Sequence, residues 1–257
     1  MQETPVCLIT GSATGIGAAC AREFAQRGWH VALSHLDDGT LAEAQAVAVA
    51  CAASGAETLL LPLDVRDEAA CQRFAQAALQ RWGRIDALIN CAGTTRFIAH
   101  TDLAALDAAE FHRTYDVNVI GAYQMVRACS DALKAGAGGS IVNITSIGGV
   151  LGRGSSMAYA ASKGALNTLT LALARSLAPA VRVNAIAPGF VEGGLPARVL
   201  GEAEHAQVLA VQTAASVLKR VSQPEEVAAL AWFLCSQAPG MTGEVLMMDN
   251  GLHLNAG

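Results

Sequence analysis

A tyrosine and a lysine, Tyr159 and Lys163, stand four positions apart in a segment predicted to be helical. Residues four apart share one helix face, so the phenol and the ammonium group are expected to be neighbours. A nearby ammonium group favours the phenolate and is expected to lower the pKa of the phenol. The tyrosine could then donate a proton to an alkoxide or accept one from an alcohol. Chance produces the same spacing in ordinary helices, so the pair needs support from elsewhere in the chain.

A hydroxyl group that could join this pair follows the apolar segment from Ser140 to Thr145, which is predicted to be a strand. Ser146 comes directly after it, thirteen positions before Tyr159. Ligands in open α/β sheets bind beyond the carboxyl ends of the strands, where Ser146 and the start of the tyrosine's helix can converge. Thr145 is the alternative hydroxyl, although its β-branched side chain also suits the strand itself.

Asn118 is an unusual residue in its surroundings, because the segment from Ala108 to Lys134 is predicted to be one long helix. Asparagine is a poor residue for a helix interior, since its side chain competes for backbone hydrogen bonds. Such a misfit can mark a functional position, although a solvent-exposed asparagine is the more common explanation.

A glycine-rich turn follows the first predicted strand. It runs Gly11-Ser12-Ala13-Thr14-Gly15-Ile16-Gly17 and opens directly into a predicted helix. Glycines let the backbone turn tightly and approach a pyrophosphate, and the helix N-terminus offers free N–H groups to the negative charge. Some turns of this kind only connect a strand to a helix, but the position at the first strand–helix junction favours dinucleotide binding.

Short apolar segments alternate with helical ones along the chain. Strands that are apolar at nearly every residue are covered on both faces, as in a parallel sheet. The alternation predicts an α/β fold: a doubly wound (Rossmann) parallel sheet of about seven strands with helices on both faces. Residues 1–257 contain no linker or repeat and are expected to form a single dinucleotide-binding domain. The irregular stretch 189–223 is either a flap over a site or a surface helical insertion.

The composition argues against several classes of protein. A net charge of −5 without basic runs is atypical of nucleic-acid binding, and no apolar stretch is long enough to span a membrane. The first five residues lack the features of a secretory signal. The seven cysteines are scattered and never spaced as CxxC, which is typical of reduced thiols and not of a metal site. A cytoplasmic protein without a metal ion is therefore expected.

Several motifs occur in the order characteristic of the short-chain dehydrogenase/reductase family. They are Thr10-Gly11 to Gly15-Ile16-Gly17, Asn90-Cys91-Ala92-Gly93, Asn118, Tyr159-Ala160-Ala161-Ser162-Lys163, Pro188-Gly189 and Asp249-Asn250-Gly251. The chain resembles this family over almost its whole length, and its stretch from Gly243 to Leu252 resembles the branch of 3-oxoacyl-acyl-carrier-protein reductases. The resemblance implies a homotetrameric, NAD(P)-dependent oxidoreductase that transfers a hydride between nicotinamide and a ketone or secondary alcohol.

The resemblance also implies a catalytic set, namely Asn118, Ser146, Tyr159 and Lys163. The family spacing selects Ser146 over Thr145 as the hydroxyl that hydrogen-bonds the substrate oxygen. Asn118 is implied to bend its helix and to hold a water molecule that links Lys163 to solvent. Lys163 is also implied to reach the hydroxyls of the nicotinamide ribose.

The remaining matches imply contacts to the dinucleotide. Asp64, at the end of the third strand, would meet the adenine amino group, although a strand-end aspartate is otherwise a cap or turn residue. The full set of implied cofactor contacts is Gly11, Ser12, Thr14, Gly15, Ile16, Gly17, Ser34, His35, Asp64, Val65, Asn90, Ala92, Gly93, Tyr159, Lys163, Pro188, Gly189 and Val191.

Two positions depart from the family pattern. The second strand ends in Ser34-His35, where members that prefer NAD carry an acidic residue that repels a 2′-phosphate. The loss of that acid favours NADP(H) over NAD(H), and both side chains could donate hydrogen bonds to the phosphate. Members that prefer NADP often carry Arg or Lys there or at the position of Thr14, and this chain has neither. Gly193 replaces a threonine that grips the carboxamide, which indicates a mobile loop.

The substrate is left open by the sequence. The segment from Thr94 to Asp107 and the stretch from Gly193 to Gln212 are expected to select it, but they match no particular class. Sugars, small cyclic ketones and acyl thioesters all stay possible. The alternative function is a non-catalytic dinucleotide-binding redox sensor, which would be expected to lose the tyrosine or the lysine that this chain keeps.

Overall fold

A computed structural model of the chain describes residues 4–136 and 138–255. Seven parallel strands form one sheet in the order β3-β2-β1-β4-β5-β6-β7. The strands are β1 (Val6–Ile9), β2 (His30–His35), β3 (Thr58–Pro62), β4 (Ala87–Asn90), β5 (Gly139–Ile144), β6 (Val181–Pro188) and β7 (Val245–Met248). The predicted doubly wound α/β fold is confirmed.

Helices cover both faces of this sheet. They are α1 (Gly15–Gln26), α2 (Leu41–Ala53), α3 (Glu68–Trp82), α4 (Ala108–Tyr115), α5 (Ala122–Ala135), α6 (Gly148–Leu151), α7 (Met157–Leu177), α8 (Gly194–Val199), α9 (Glu202–Ala215) and α10 (Pro224–Ser236). Side chains of α1, α2 and α10 form one hydrophobic core, and those of α3, α5 and α7 form a second. None of the helices in the described ranges is long and apolar enough to cross a bilayer.

The strands are apolar at consecutive positions because each of their faces packs against one of these two cores. In β1, Cys7 and Ile9 belong to the first core, and Val6 and Leu8 belong to the second. Alternating side chains point to opposite faces of a strand, so a central strand needs apolar residues throughout. Alanine-rich α1 and α10 pack directly against each other over the first face.

The order of the strands places a crevice at the carboxyl end of the sheet. After β1 the chain adds β2 and β3 on one side, then returns to place β4 on the other side of β1. The connections leaving β1 and β4 therefore diverge, and ligands of open α/β sheets bind at such a switch point. The glycine-rich turn follows β1 and the residues Cys91 to Gly93 follow β4, so both border the crevice.

The predicted helix from Ala108 to Lys134 is interrupted, so the prediction of one continuous helix is wrong. A π-helical segment, Asp116–Gly121, separates α4 from α5. Its Asn118 side chain bonds to Thr94 and Ser162 outside the helix. A Cβ atom on Gly121 would lie 2.5 Å from Val65 Cγ2, so only glycine permits this close approach. Tertiary contacts thus favour the wider turn, as is common for π-bulges.

The stretch 189–223, hereafter the flap, was expected to be irregular but contains two helices, α8 and α9. Its base is held by a single β-bridge between Val191 and Ser222 and by a 2.6 Å hydrogen bond from Gln223 Nε2 to Glu192 Oε2. The sequence does not indicate these helices, because their N-cap residues Gly193 and Gly201 offer no capping side chain.

Candidate active site

A cavity of about 580 Å³ opens at the carboxyl end of the sheet. Its volume is in the range typical of small-molecule and cofactor sites. The cavity joins the glycine-rich turn to the residues predicted to be catalytic. The predicted site residues that line it are Gly11, Thr14, Gly15, Ile16, Ala92, Gly93, Ser146, Tyr159, Lys163, Pro188, Gly189 and Val191.

Tyr159 lies in the first turn of α7, and a buried serine positions it there. Ser156 is the N-cap of the helix, and its Oγ accepts a hydrogen bond from Tyr159 N at 3.1 Å. The Ser162 hydroxyl donates to the Tyr159 carbonyl oxygen at 2.7 Å. The serine cap fixes where α7 begins, and so sets the tyrosine level with the end of β5.

The pKa of the Tyr159 phenol is governed by burial. Burial raises this pKa to about 12, and a hydrogen bond with Ser146 acts in the opposite direction. The net lowering of the phenol pKa expected from the neighbouring lysine is therefore not found, because burial dominates this pKa. The lysine Nζ lies 5.7 Å from the centre of the tyrosine ring, so the loss of solvation outweighs its charge.

Lys163 is almost fully buried, and its ammonium group donates to the Ile144 carbonyl oxygen at 2.8 Å. Burial lowers the pKa of Lys163 to about 8, while the nearby Cys91 acts weakly in the other direction. The Cys91 thiol has a pKa raised to about 11 by its own burial. Lys163 therefore remains mostly cationic at neutral pH but titrates well below an ordinary lysine.

Two neighbouring hydroxyls end β5, and the structure gives them different surroundings. Thr145 is buried, and its Oγ1 donates to the Ile186 carbonyl oxygen of β6 at 3.0 Å. Ser146 is half-buried, and its Oγ accepts from Gly148 N at 3.0 Å, which leaves its proton available. This geometry favours Ser146 as the hydroxyl that faces a bound oxygen.

Asn118 is buried behind the cavity wall. Its Oδ1 accepts from Thr94 N at 2.8 Å, and its Nδ2 donates to Thr94 O and to Ser162 Oγ at 3.1 Å and 3.0 Å. A Cβ atom on Gly93 would lie 3.5 Å from Asn118 Oδ1 and 3.7 Å from Lys163 Nζ. The asparagine and the lysine thus both border Gly93.

A charged pair not singled out from the sequence supports the same loop. Arg113 Nη1 donates to Thr94 Oγ1 at 2.5 Å. The buried Glu110 holds the guanidinium through two hydrogen bonds of 2.6 Å and 2.9 Å. Arg113 and Asn118 both hydrogen-bond to Thr94, and so hold the cavity wall next to Lys163 in place. Arg113 stands three positions after Glu110 on α4, a spacing that indicates an ion pair but not its target.

The glycine-rich turn is as tight as its glycines predict. A Cβ atom on Gly17 would lie 2.2 Å from Gly11 O, and one on Gly11 would lie 2.9 Å from Ala92 Cα. At the N-terminus of α1, Thr14 forms no side-chain capping bond and the first turn carries no acidic residue. An uncapped helix end beside a narrow turn in an elongated cavity fits the pyrophosphate of a dinucleotide.

Other residues implied to contact the cofactor lie outside the cavity lining. They are Ser12, Gly17, Ser34, His35, Asp64, Val65 and Asn90, and Asn118 also lies outside it. Ser34 Oγ accepts from Gly11 N at 2.9 Å, and Ser12 Oγ bonds to the backbone of Ser34. These serines brace the turn against β2.

The strand-end residues implied to bind adenosine are engaged with the protein itself. Nδ1 of the buried His35 is 3.1 Å from Asp37 O. The Asp64 carboxylate forms a 2.6 Å ion pair with Arg66, whose hydrogen bonds lower the pKa of Asp64. Asn90 Nδ2 donates to Asn143 Oδ1 at 2.9 Å and so ties β4 to β5.

The wall of the cavity opposite the glycine-rich turn includes residues of the segment from Thr94 to Asp107, which was expected to select the substrate, and residues 151–155, which the sequence did not indicate. Thr95 Oγ1 and Ser155 Oγ are 2.5 Å apart, and Ile98 N donates to Ser155 O at 2.7 Å. The wall residues from the connection after β4, from the end of α6 and from the connection after α6 are Thr95, Phe97, Leu151, Arg153, Gly154 and Ser155. Residues 151–155 end and follow a four-residue helix that has no periodic signal in the sequence.

The flap forms one side of the cavity. Gly193 and Gly194 have positive φ angles of 70° and 59°, which glycine adopts at little cost. The flap residues that line the cavity include Leu195, Pro196, Arg198, Val208 and Gln212. The flap is thus both a helical insertion and a wall of the site. Among the described residues, no group of three or more His, Cys, Asp or Glu could hold a metal ion.

The chain is similar to known oxidoreductases over nearly its full length. The family model described as enoyl-(acyl carrier protein) reductase matches residues 11–253. A protein of Streptomyces violaceoruber, described as ketoacyl reductase 2 of the granaticin polyketide synthase, is 37% identical to this chain. The match covers 98% of this chain and 97% of the other. The cis-4-hydroxycyclohexanecarboxylate dehydrogenase of Sinomonas cyclohexanicum is 33% identical over 96% of this chain and 95% of its own.

A solved structure agrees with these relatives. A protein from Burkholderia xenovorans, described as a short-chain dehydrogenase/reductase, is 51% identical and superposes with a TM-score of 0.92. The match covers 99% of this chain and 100% of the other. With the fold, the glycine-rich turn and the Ser146, Tyr159 and Lys163 cluster, these similarities show that the chain belongs to the short-chain dehydrogenase/reductase family of nicotinamide-dependent oxidoreductases.

Proposed function

We propose that this protein interconverts a ketone and a secondary alcohol, with Ser146, Tyr159 and Lys163 as catalytic residues and Asn118 in support. The observation that carries the proposal is that one cavity joins the glycine-rich turn to these three side chains. The dinucleotide would lie along the cavity with its pyrophosphate at the N-terminus of α1. The nicotinamide supplies or accepts the hydride, and the protein supplies orientation and proton transfer.

Tyr159 is the proton donor when a ketone is reduced. The substrate oxygen lies between the hydroxyls of Ser146 and Tyr159, and Ser146 donates a hydrogen bond that holds it there. As negative charge develops on that oxygen, the phenol proton moves to it and leaves the phenolate. In the oxidative direction the phenolate accepts the alcohol proton. A phenol whose pKa burial raises to about 12 stays protonated at neutral pH and is ready to donate.

Lys163 stabilises the phenolate and restores its proton. Its ammonium group lies 5.7 Å from the centre of the tyrosine ring and is cationic at neutral pH. A positive charge at this distance in a buried site favours the phenolate as it forms. Asn118 and the lysine both border Gly93. We propose that Lys163 exchanges protons with solvent beside this asparagine.

The substrate is proposed to be an uncharged or weakly charged carbonyl compound of the 3-oxoacyl type. Most flap and wall side chains that line the cavity are apolar, among them Phe97, Leu151, Leu195 and Val208. One relative is described as a ketoacyl reductase and another as a dehydrogenase of a cyclic hydroxy acid. Both names describe a reaction at a ketone or a hydroxyl group, as proposed here.

NADP(H) is proposed as the preferred cofactor. The end of β2 carries His35 where an acidic side chain would repel a 2′-phosphate, and no carboxylate replaces it at that position. We further propose that residues 189–223 act as a flap on one dinucleotide-binding domain, and that the protein works in the cytoplasm. The scattered, unpaired cysteines suit a reducing compartment.

Parallel fluorescence titrations with NADPH and NADH test the proposal without a guess about the substrate. We expect saturable binding of both and tighter binding of NADPH. A screen of 3-oxoacyl thioesters and cyclic ketones with the preferred nucleotide follows, with nucleotide oxidation as the readout. Tighter binding of NADH would overturn the cofactor preference alone. No binding of either nucleotide would contradict the proposed function.

A further inference from the structure

Arg198 of the flap reaches the glycine-rich turn on the other side of the cavity. Its Nη1 lies 3.5 Å from Thr14 Oγ1, and both residues line the cavity. The first residue of α8, Gly194, packs against the turn, since a Cβ atom on Gly15 would lie 2.9 Å from Gly194 Cα. Helix α8 is therefore held against the N-terminus of α1, with the guanidinium beside the N-cap residue.

This arrangement brings two positive groups together. The N-terminus of α1 carries the positive end of the helix dipole, and neither a capping side chain nor an acidic residue in the first turn offsets it. Arg198 is exposed, and within residues 4–136 and 138–255 it pairs with no carboxylate. Both groups attract negative charge, so an anion bound between them would be stabilised by the two together.

We propose that Arg198 binds a phosphate group of the dinucleotide from the flap side. The inference rests on the proposed function, which places the dinucleotide along the turn. A guanidinium presents a planar fork of N–H donors that matches a phosphate, so one arginine can replace a basic residue at the turn itself. The turn sequence has Thr14 at that position, and the flap supplies the cation from 184 residues away. Dinucleotide binding thereby also holds the flap closed.

The test is the affinity of the Arg198→Gln protein for NADPH and for NADH, measured by fluorescence titration. We expect about a tenfold weaker affinity, as for the loss of one charge-assisted hydrogen bond. A loss for both nucleotides assigns Arg198 to the pyrophosphate, and a loss confined to NADPH assigns it to the 2′-phosphate. Arg198→Lys, which keeps the charge but loses the fork, is expected to fall between.

Arg73→Gln is the matched control, because Arg73 is exposed on α3, away from the helices proposed to associate, and does not line the cavity. It should bind both nucleotides like the wild type. Unchanged affinity of Arg198→Gln for both nucleotides, with an unchanged melting temperature, would overturn the inference and leave the proposed function intact. If the wild-type protein bound neither nucleotide, the proposed function itself would fail.

Discussion

At the scale of single residues, the site depends on two side chains whose ionisation is shifted by burial. The phenol of Tyr159 is harder to ionise than an ordinary tyrosine, and the ammonium group of Lys163 is easier to neutralise than an ordinary lysine. Residue spacing predicted that the two would be neighbours but not that desolvation would dominate the pKa of the phenol. Burial is a property of the assembled cavity, and a sequence does not display it.

Tyr159→Phe removes the proposed proton donor and keeps the aromatic ring. We expect kcat for carbonyl reduction to fall by about 10²- to 10⁴-fold, the usual contribution of general acid catalysis. Nucleotide affinity should stay close to that of the wild type, because the hydroxyl is lost and the ring is kept. Steady-state kinetics together with fluorescence titration measure both quantities. Reduction at the wild-type rate would refute the mechanism.

The lowered pKa of Lys163 makes a prediction about stability. An unfolded chain holds the lysine proton with a pKa near 10.5, whereas the folded protein releases it near pH 8. Between these values the unfolded state binds more protons, so the contribution of this lysine to stability rises with pH. From pH 7 to pH 9 we expect the wild type to gain about 1 kcal/mol relative to Lys163→Met.

Urea unfolding of both proteins at pH 7, 8 and 9 measures this difference. Other groups, such as the cysteine thiols, titrate in both proteins and cancel in the comparison. A difference in unfolding free energy that does not change with pH would show that burial does not shift the lysine pKa.

At the scale of elements, the sequence predicts the start of a helix best where a local signal, such as a capping side chain, marks it. Helices α3 and α7 begin at such signals, since their N-caps Asp67 and Ser156 both accept backbone hydrogen bonds. The family resemblance implied a bend at Asn118, but local propensity predicted one continuous helix, because the contacts with Thr94 and Ser162 that hold the π-helical segment are distant in sequence. Local propensity describes a segment alone, and it fails where tertiary contacts decide the backbone.

The glycine-rich turn gives a prediction at this scale. A methyl group on residue 17 would collide with Gly11 O at 2.2 Å, so Gly17→Ala must widen the turn that faces the pyrophosphate. We expect the affinity for both NADPH and NADH to fall by about tenfold or more. A tenfold loss corresponds to about 1.4 kcal/mol of binding free energy, which a displaced turn readily costs. Fluorescence titration measures the loss.

Gly240→Ala is the control for this substitution. Gly240 lies between α10 and β7 and has open space around the position of a Cβ atom. Its affinity for both nucleotides should match that of the wild type. Wild-type affinity in Gly17→Ala would mean that the turn does not carry the dinucleotide.

At the scale of the whole molecule, apolar side chains remain exposed on the helices that carry the site. Phe111 on α4, Ile120 in the π-helical segment, Tyr123 on α5 and Leu171 on α7 are each between 36% and 47% exposed. These elements pack side by side, so their outer faces adjoin. Adjoining exposed apolar side chains are typical of association surfaces.

We propose that these helices, together with the C-terminal segment, form the contacts of a homotetramer. The doubly wound parallel sheet could be predicted from the alternation of strands and helices, but association could not. An alanine-rich helix face packs equally well within one subunit or between two. The structure separates these exposed side chains from buried ones, because the second core does not include them.

Leu171→Glu places a charge on this surface and tests the assembly. Burying an unpaired carboxylate between subunits is costly, so we expect the variant to dissociate into smaller species. Size-exclusion chromatography with light scattering should give four times the monomer mass for the wild type and less for the variant. Val49→Glu, on the exposed face of α2, is the matched control and should keep the wild-type mass. A monomeric wild type, or a Leu171→Glu protein of wild-type mass, would contradict an interface at α7.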